Sequence, residues 1–127
     1  MNLPKLGQYA AGMGGLSAGI APGGNGHPDY LLFCAPLEGM GTYAEALAAA
    51  KEHTADGHHD FDGATIVESA LCFATCRMHF VRDWYWTKEH YVDDPGYGWI
   101  QSFDFGYLSW DPLGDRNRFF AVRRVPL

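Results

Sequence analysis

The spacing of apolar positions changes twice along the chain, dividing it into a strand region, a helical region and a second strand region. From residue 5 to residue 21, small and apolar positions alternate around Gly12, Gly14, Gly15 and Gly19. That pattern predicts two short strands joined by a tight bend, with close backbone packing. GGNGHPD at 23–29 has turn composition, and YLLFCAP at 30–36 is an apolar run that predicts a buried strand, with Cys34 as a small core residue.

The helical period takes over at TYAEALAAAKEH. Thr42 and Glu45 form a capping box there, in which hydroxyl and carboxylate satisfy otherwise orphaned amides, so a helix is predicted over about residues 42–53. TIVESALCFATCRMHF repeats the device with Thr65 and Glu68. Behind that cap, Ile66, Val67, Ala70, Leu71, Ala74 and Met78 fall on one stripe at helical spacing, which predicts that this stripe packs on a sheet.

After Phe80 the pattern becomes strand-like again: WYWTKEHY, GWIQSFDFG, GYLSW and FFAVRRVPL, with DDPG and DPLGD as turns. Strands, two helices, then strands, without repeated strand–helix alternation, predict an α+β class with a mainly antiparallel sheet. A chain of 127 residues builds one core, so residues 1–127 are expected to form a single domain.

Charge narrows the choice of partners. Nine Lys and Arg against fifteen Asp and Glu give −6, a sign that disfavours direct nucleic-acid binding. Arg116, Arg118, Arg123 and Arg124 follow the last acid and are expected to pair with neighbouring carboxylates. Three cysteines, Cys34, Cys72 and Cys76, have no disulfide-framework spacing and suit a reduced, cytoplasmic compartment. The N-terminal stretch is too interrupted by glycine and polar residues for a leader core, and no apolar run approaches a membrane span, so no membrane partner is expected.

Candidate chemistry is sparse. Cys72, Cys76 and His79 share a helix face, but zinc usually takes two ligand pairs, and no second pair is apparent. GHHDFDG at 57–63 reads as a Gly- and Asp-rich approach to the second helix, and Asp93 with Asp94 as a solvated turn. No serine stands in a nucleophile elbow. The reading is therefore of a non-enzyme without metal or other cofactor.

The C-terminal half carries, in order, Gly57-His58-His59-Asp60-Phe61, the capped helix at Thr65 with Glu68, Tyr85-Trp86-Thr87, Trp99, Phe103, Phe105-Gly106 and Ala121-Val122-Arg123-Arg124. This succession resembles the small phage and bacterial family of unknown function related to the C-terminal domain of the Legionella collagen-like protein. The resemblance is clearest over residues 57–127 and implies a C-type-lectin-like fold. The chain has Asp62-Gly63-Ala64-Thr65 where the family commonly has Leu-Pro-Thr, and it lacks the Glu-Pro-Asn and Trp-Asn-Asp sequences with which sugar-binding C-type lectins hold calcium. Calcium-dependent sugar binding is accordingly not carried over.

In a strand over residues 84–91, Trp84 and Trp86 share one face and Tyr85 and Thr87 the other, so at least one tryptophan is expected to anchor the core. Tyr91, Tyr97, Trp99, Tyr107 and Trp110 are expected in or beside loops, as a patch that meets a protein or a glycan. Two functions follow as expectations. One is a phage or prophage accessory recognition module, virion-associated or acting in the host. The other is a small acidic inhibitor of a host defence complex, with Asp93, Asp94, Asp104 and Asp111 occupying a basic nucleic-acid-binding surface. Aromatic patches and sheet edges also suit a homodimer.

Overall fold

The computed structural model describes residues 3–127. In chain order they form β1 (Tyr9–Ala10), β2 (Gly15–Ala21), β3 (Tyr30–Gly41), α1 (Tyr43–Glu52), β4 (Phe61–Asp62) and α2 (Ile66–Cys76). A short 3₁₀ turn at Arg77–His79 follows, then β5 (Trp84–Tyr91), β6 (Asp94–Ser102), β7 (Leu108–Pro112) and β8 (Asn117–Pro126). The class is α+β. One sheet runs in the order β1-β2-β3-β8-β5-β6-β7, with β4 paired to β8 off this path. Every pairing is antiparallel except the single parallel contact between β5 and β8, Tyr85 opposite Arg118.

Both helices begin where the capping boxes place them. Thr42 Oγ1 accepts from Glu45 N while Glu45 Oε1 accepts from Thr42 N, and Thr65 and Glu68 repeat the exchange. The helices lie on opposite faces of the sheet, as alternation along β5 makes visible. Tyr85 turns into the layer that contains α2, where its ring centroid lies 4.8 Å from that of Phe103 and 5.2 Å from that of Phe80. Trp86 turns the other way, edge-on to Tyr43 of α1 at 5.7 Å, and its indole N–H donates to Gly41 O at 2.9 Å. At Tyr85 and Trp86 both faces of β5 are therefore interior, whereas the sequence alone requires only one.

The sheet-facing side of α2 is not the apolar stripe. Val67, Ala70, Ala74 and Met78 are exposed, Ile66 and Leu71 half-buried, and the inward face is Glu68, Ser69, Cys72 and Cys76. The physical reason is that the sheet supplies partners for the two polar residues. Ser69 Oγ donates to Gln101 Oε1 of β6 at 2.5 Å. Glu68, with no exposed surface, accepts from Arg124 of β8 at both carboxylate oxygens (2.6 and 2.8 Å), from Tyr30 Oη at 2.5 Å and from Thr65 N at 2.9 Å. A buried carboxylate is tolerated only when paired and fully hydrogen-bonded, and Glu68 is both. Burial alone pushes its carboxyl up. The Arg124 guanidinium, the Tyr30 hydroxyl and the Thr65 amide outweigh that and hold it below the ordinary glutamate value. The same contacts act in reverse on Tyr30, where burial and then the bond to Glu68 push the phenol up to about 12.

Cys34, Cys72 and Cys76 meet in the core beneath α2, all free and without exposed surface. The neighbouring Cys72 thiol, with burial, pushes Cys34 up, and Cys34 with burial does the same to Cys76, so Cys34 and Cys76 stay protonated.

Candidate functional site

The aromatic residues expected in or beside loops lie mostly on strands, with Tyr91 next to a turn. Tyr91 ends β5, Tyr97 and Trp99 are in β6, Trp110 is in β7, and only Tyr107 lies in a loop. The reason is the length of the β5–β6–β7 meander. DDPG is not a separate loop: the turn is Val92–Asp93 alone, and Asp94, Pro95 and Gly96 already belong to β6.

This placement brings three of the five rings together. Trp99 and Trp110 are directly opposite across β6 and β7. The flanking bonds Ser102 N to Tyr107 O and Leu113 N to Gly96 O make theirs a non-hydrogen-bonded pair, the type in which side chains approach most closely. Their centroids are 5.6 Å apart at 80°. Tyr91 stacks nearly parallel on Trp110 (4.7 Å, 5°) and edge-on to Trp99 (5.2 Å, 74°). Gln101 reaches Ser69 of α2, so Trp99 and Tyr97, two and four residues earlier in the same strand, share the α2 side of the sheet. Helix α2 covers the Gln101 end of that face. The outer end stays open: Trp110 is 46% exposed, and Tyr91, Trp99 and Tyr97 are half-buried.

Tyr97 makes none of these ring contacts. Tyr107, 67% exposed, leans on Phe105, 71% exposed, at the β6–β7 turn (centroids 6.0 Å) and extends the aromatic surface along the arm. Gly106 shapes that turn. Its φ of 83° and the 2.7 Å approach of Phe73 to where a Cβ would stand leave no place for a side chain. At the opposite end, Asp93 and Asp94 are exposed beside Tyr91, Asp94 accepting from Gly96 N at 2.9 Å. Asp104 is exposed at the Phe105 turn, and Asp111 accepts from Asn117 Nδ2 at 3.0 Å.

Many of the remaining charged and histidine side chains are engaged in the fold. All four C-terminal arginines pair with acids: Arg116 with Glu45, Arg118 with Asp83, Arg123 with Asp60, and Arg124 with Glu68 and Asp62. Lys88 also pairs with Asp62. His58 bonds Gly12 O and the exposed His79 bonds Gly7 O, while Cys72 and Cys76 are fully buried. Among the described residues, no three His, Cys, Asp or Glu side chains gather in a metal-holding group. No described helix is long and apolar enough to cross a membrane.

Two surface features went unread in the sequence. One is the outward direction of the apolar stripe of α2. The other is a hollow of about 340 Å³ lined by Leu3, Leu6, Ile20, Leu31 and Leu71, among others, where the N-terminal segment, β2 and α2 meet. The stripe was visible as a pattern, but its direction depends on which polar residues find partners inside. No protein-family model matches the chain, and no curated protein matches it significantly in sequence.

Proposed function

We propose that this protein is a non-catalytic accessory recognition module of a phage or prophage, with a C-type-lectin-like fold, that grips a protein or glycan through the aromatic face of its β5–β6–β7 arm. The observation that carries the reading is the clustering of Tyr91, Trp99 and Trp110 on an open sheet face, extended by Tyr107. Large rings held in fixed geometry and left partly in water are what a recognition surface needs. The phage origin and the lectin-like relationship rest on the sequence resemblance.

Capture from bacterial lysate with wild type and with Trp99→Ala/Trp110→Ala tests it. A partner retained by wild type and lost by the variant, with an unchanged melting curve, is the expected result. Equal capture by both removes the aromatic face from recognition. The acidic margin of the same arm favours a second reading, a small inhibitor that occupies the basic nucleic-acid-binding surface of a host defence complex. Binding to such a complex that weakens steeply with salt separates it from salt-tolerant glycan binding.

A further inference from the structure

Charge is distributed unevenly about the sheet. Residues 83–115, which span β5, β6, β7 and their turns, contain seven carboxylates and one lysine, and thus the whole net charge of −6. The rest of the chain carries eight acids and eight Lys or Arg. Within the arm, the one lysine is tied to Asp62, and Asp83 to Arg118. Asp93, Asp94, Asp104 and Asp115 remain exposed. Two of them, Asp93 and Asp94, stand at the end of the arm where Tyr91 stacks on Trp110, and Asp104 stands at the other end beside Phe105 and Tyr107.

We infer that the occupant of this face is a cationic protein segment, an extended Arg- or Lys-rich stretch whose side chains lie against Trp110 and Trp99 and whose charge is met by Asp93, Asp94 and Asp104. The inference rests on the reading of the aromatic face as the binding surface and adds the chemistry of what binds there. Indole rings attract cations through their negative faces, and guanidinium groups stack on them over their full plane. A carboxylate margin adds long-range attraction for cations and repels phosphate and anionic glycans. A neutral glycan would use the rings but gain nothing from the charge.

The test uses the full chain and three probes: a labelled (Arg-Gly)₆ peptide, a (Ser-Gly)₆ peptide and chitohexaose. Fluorescence anisotropy for the peptides and calorimetry for the sugar are read at low and physiological salt. Wild type is expected to bind the arginine peptide and neither other probe. Trp110→Ala weakens binding about fivefold, the scale of an exposed cation–π contact. Asp93→Asn/Asp94→Asn, which keeps the turn acceptor at residue 94, also weakens it and flattens the salt dependence. Failure takes distinguishable forms. If chitohexaose binds through Trp110 and the arginine peptide does not, the cationic assignment is overturned while the aromatic surface stands. If the peptide binds equally to wild type and to Trp110→Ala, the attraction is diffuse charge and the assignment of a cationic segment to this face falls. Absence of peptide binding to wild type also overturns the inference.

Discussion

Arg124→Met removes the guanidinium that holds both oxygens of Glu68 while keeping most of the aliphatic stem. Glu68 has no exposed surface, so the variant leaves a carboxylate in the core with only Tyr30 Oη and Thr65 N as donors. Orphaning one member of a buried pair costs about 3–5 kcal/mol. At about 3–6 °C per kcal/mol for a chain of this size, the melting temperature should fall by about 10–30 °C. Glu68→Gln is the matched control. It keeps the capping-box acceptor, and Arg124 keeps Asp62 at 3.0 Å, so the cost should be smaller, about 1–2 kcal/mol. Urea unfolding of both variants at about pH 6 and again at about pH 3 completes the test, the two conditions lying on either side of the ordinary glutamate value. Because Glu68 is held below that value in the folded protein, its pairing stabilises fully above the unfolded pKa, and the contribution is lost as pH falls through the folded one. Wild type should therefore lose its advantage over Glu68→Gln on acidification. Its advantage over Arg124→Met should also narrow, since protonation relieves the orphaned carboxylate. An Arg124→Met variant within about 1 kcal/mol of wild type, or a gap independent of pH, would refute the account of how α2 is seated.

Reversal of the α2 face gives a second expectation. Ala70→Lys and Met78→Lys should change urea stability by no more than about 0.5 kcal/mol, whereas Ser69→Val, which strands buried Gln101, should cost about 1–3 kcal/mol. The opposite ranking would mean the stripe faces the sheet after all. The thiols give a third: iodoacetamide at mildly alkaline pH should label none of Cys34, Cys72 and Cys76 in native protein and all three in denaturant, read by intact mass. Native labelling at the rate of an exposed thiol would contradict their burial.

What the sequence made legible was local. Both helix starts were readable because a capping box is written in four residues, and Thr42–Glu45 and Thr65–Glu68 each contain it. The α+β class followed from element order, and the pairing of Arg116, Arg118, Arg123 and Arg124 from the surplus of acid. The orientation of α2 was not readable. Glu68 and Ser69 look like solvent-facing residues until Arg124 and Gln101, more than thirty positions away, arrive to meet them. The aromatic surface was half legible. Its members were identified by type, but the Trp99–Trp110 pairing depends on the register of β6 against β7, and turn composition around Pro95 concealed how early β6 begins.

The position of β8 has a consequence for how the protein is made. It lies between β3 on one side and β5 and β4 on the other, and its pairing with β3 joins residues as far apart as Tyr30 and Pro126. A ribosome releases β3, both helices and the β5–β7 meander before the strand that unites them emerges. Until residues 117–126 clear the exit tunnel, β3 and β5 present open edges to other nascent chains, and the protein must pass through synthesis with its middle missing.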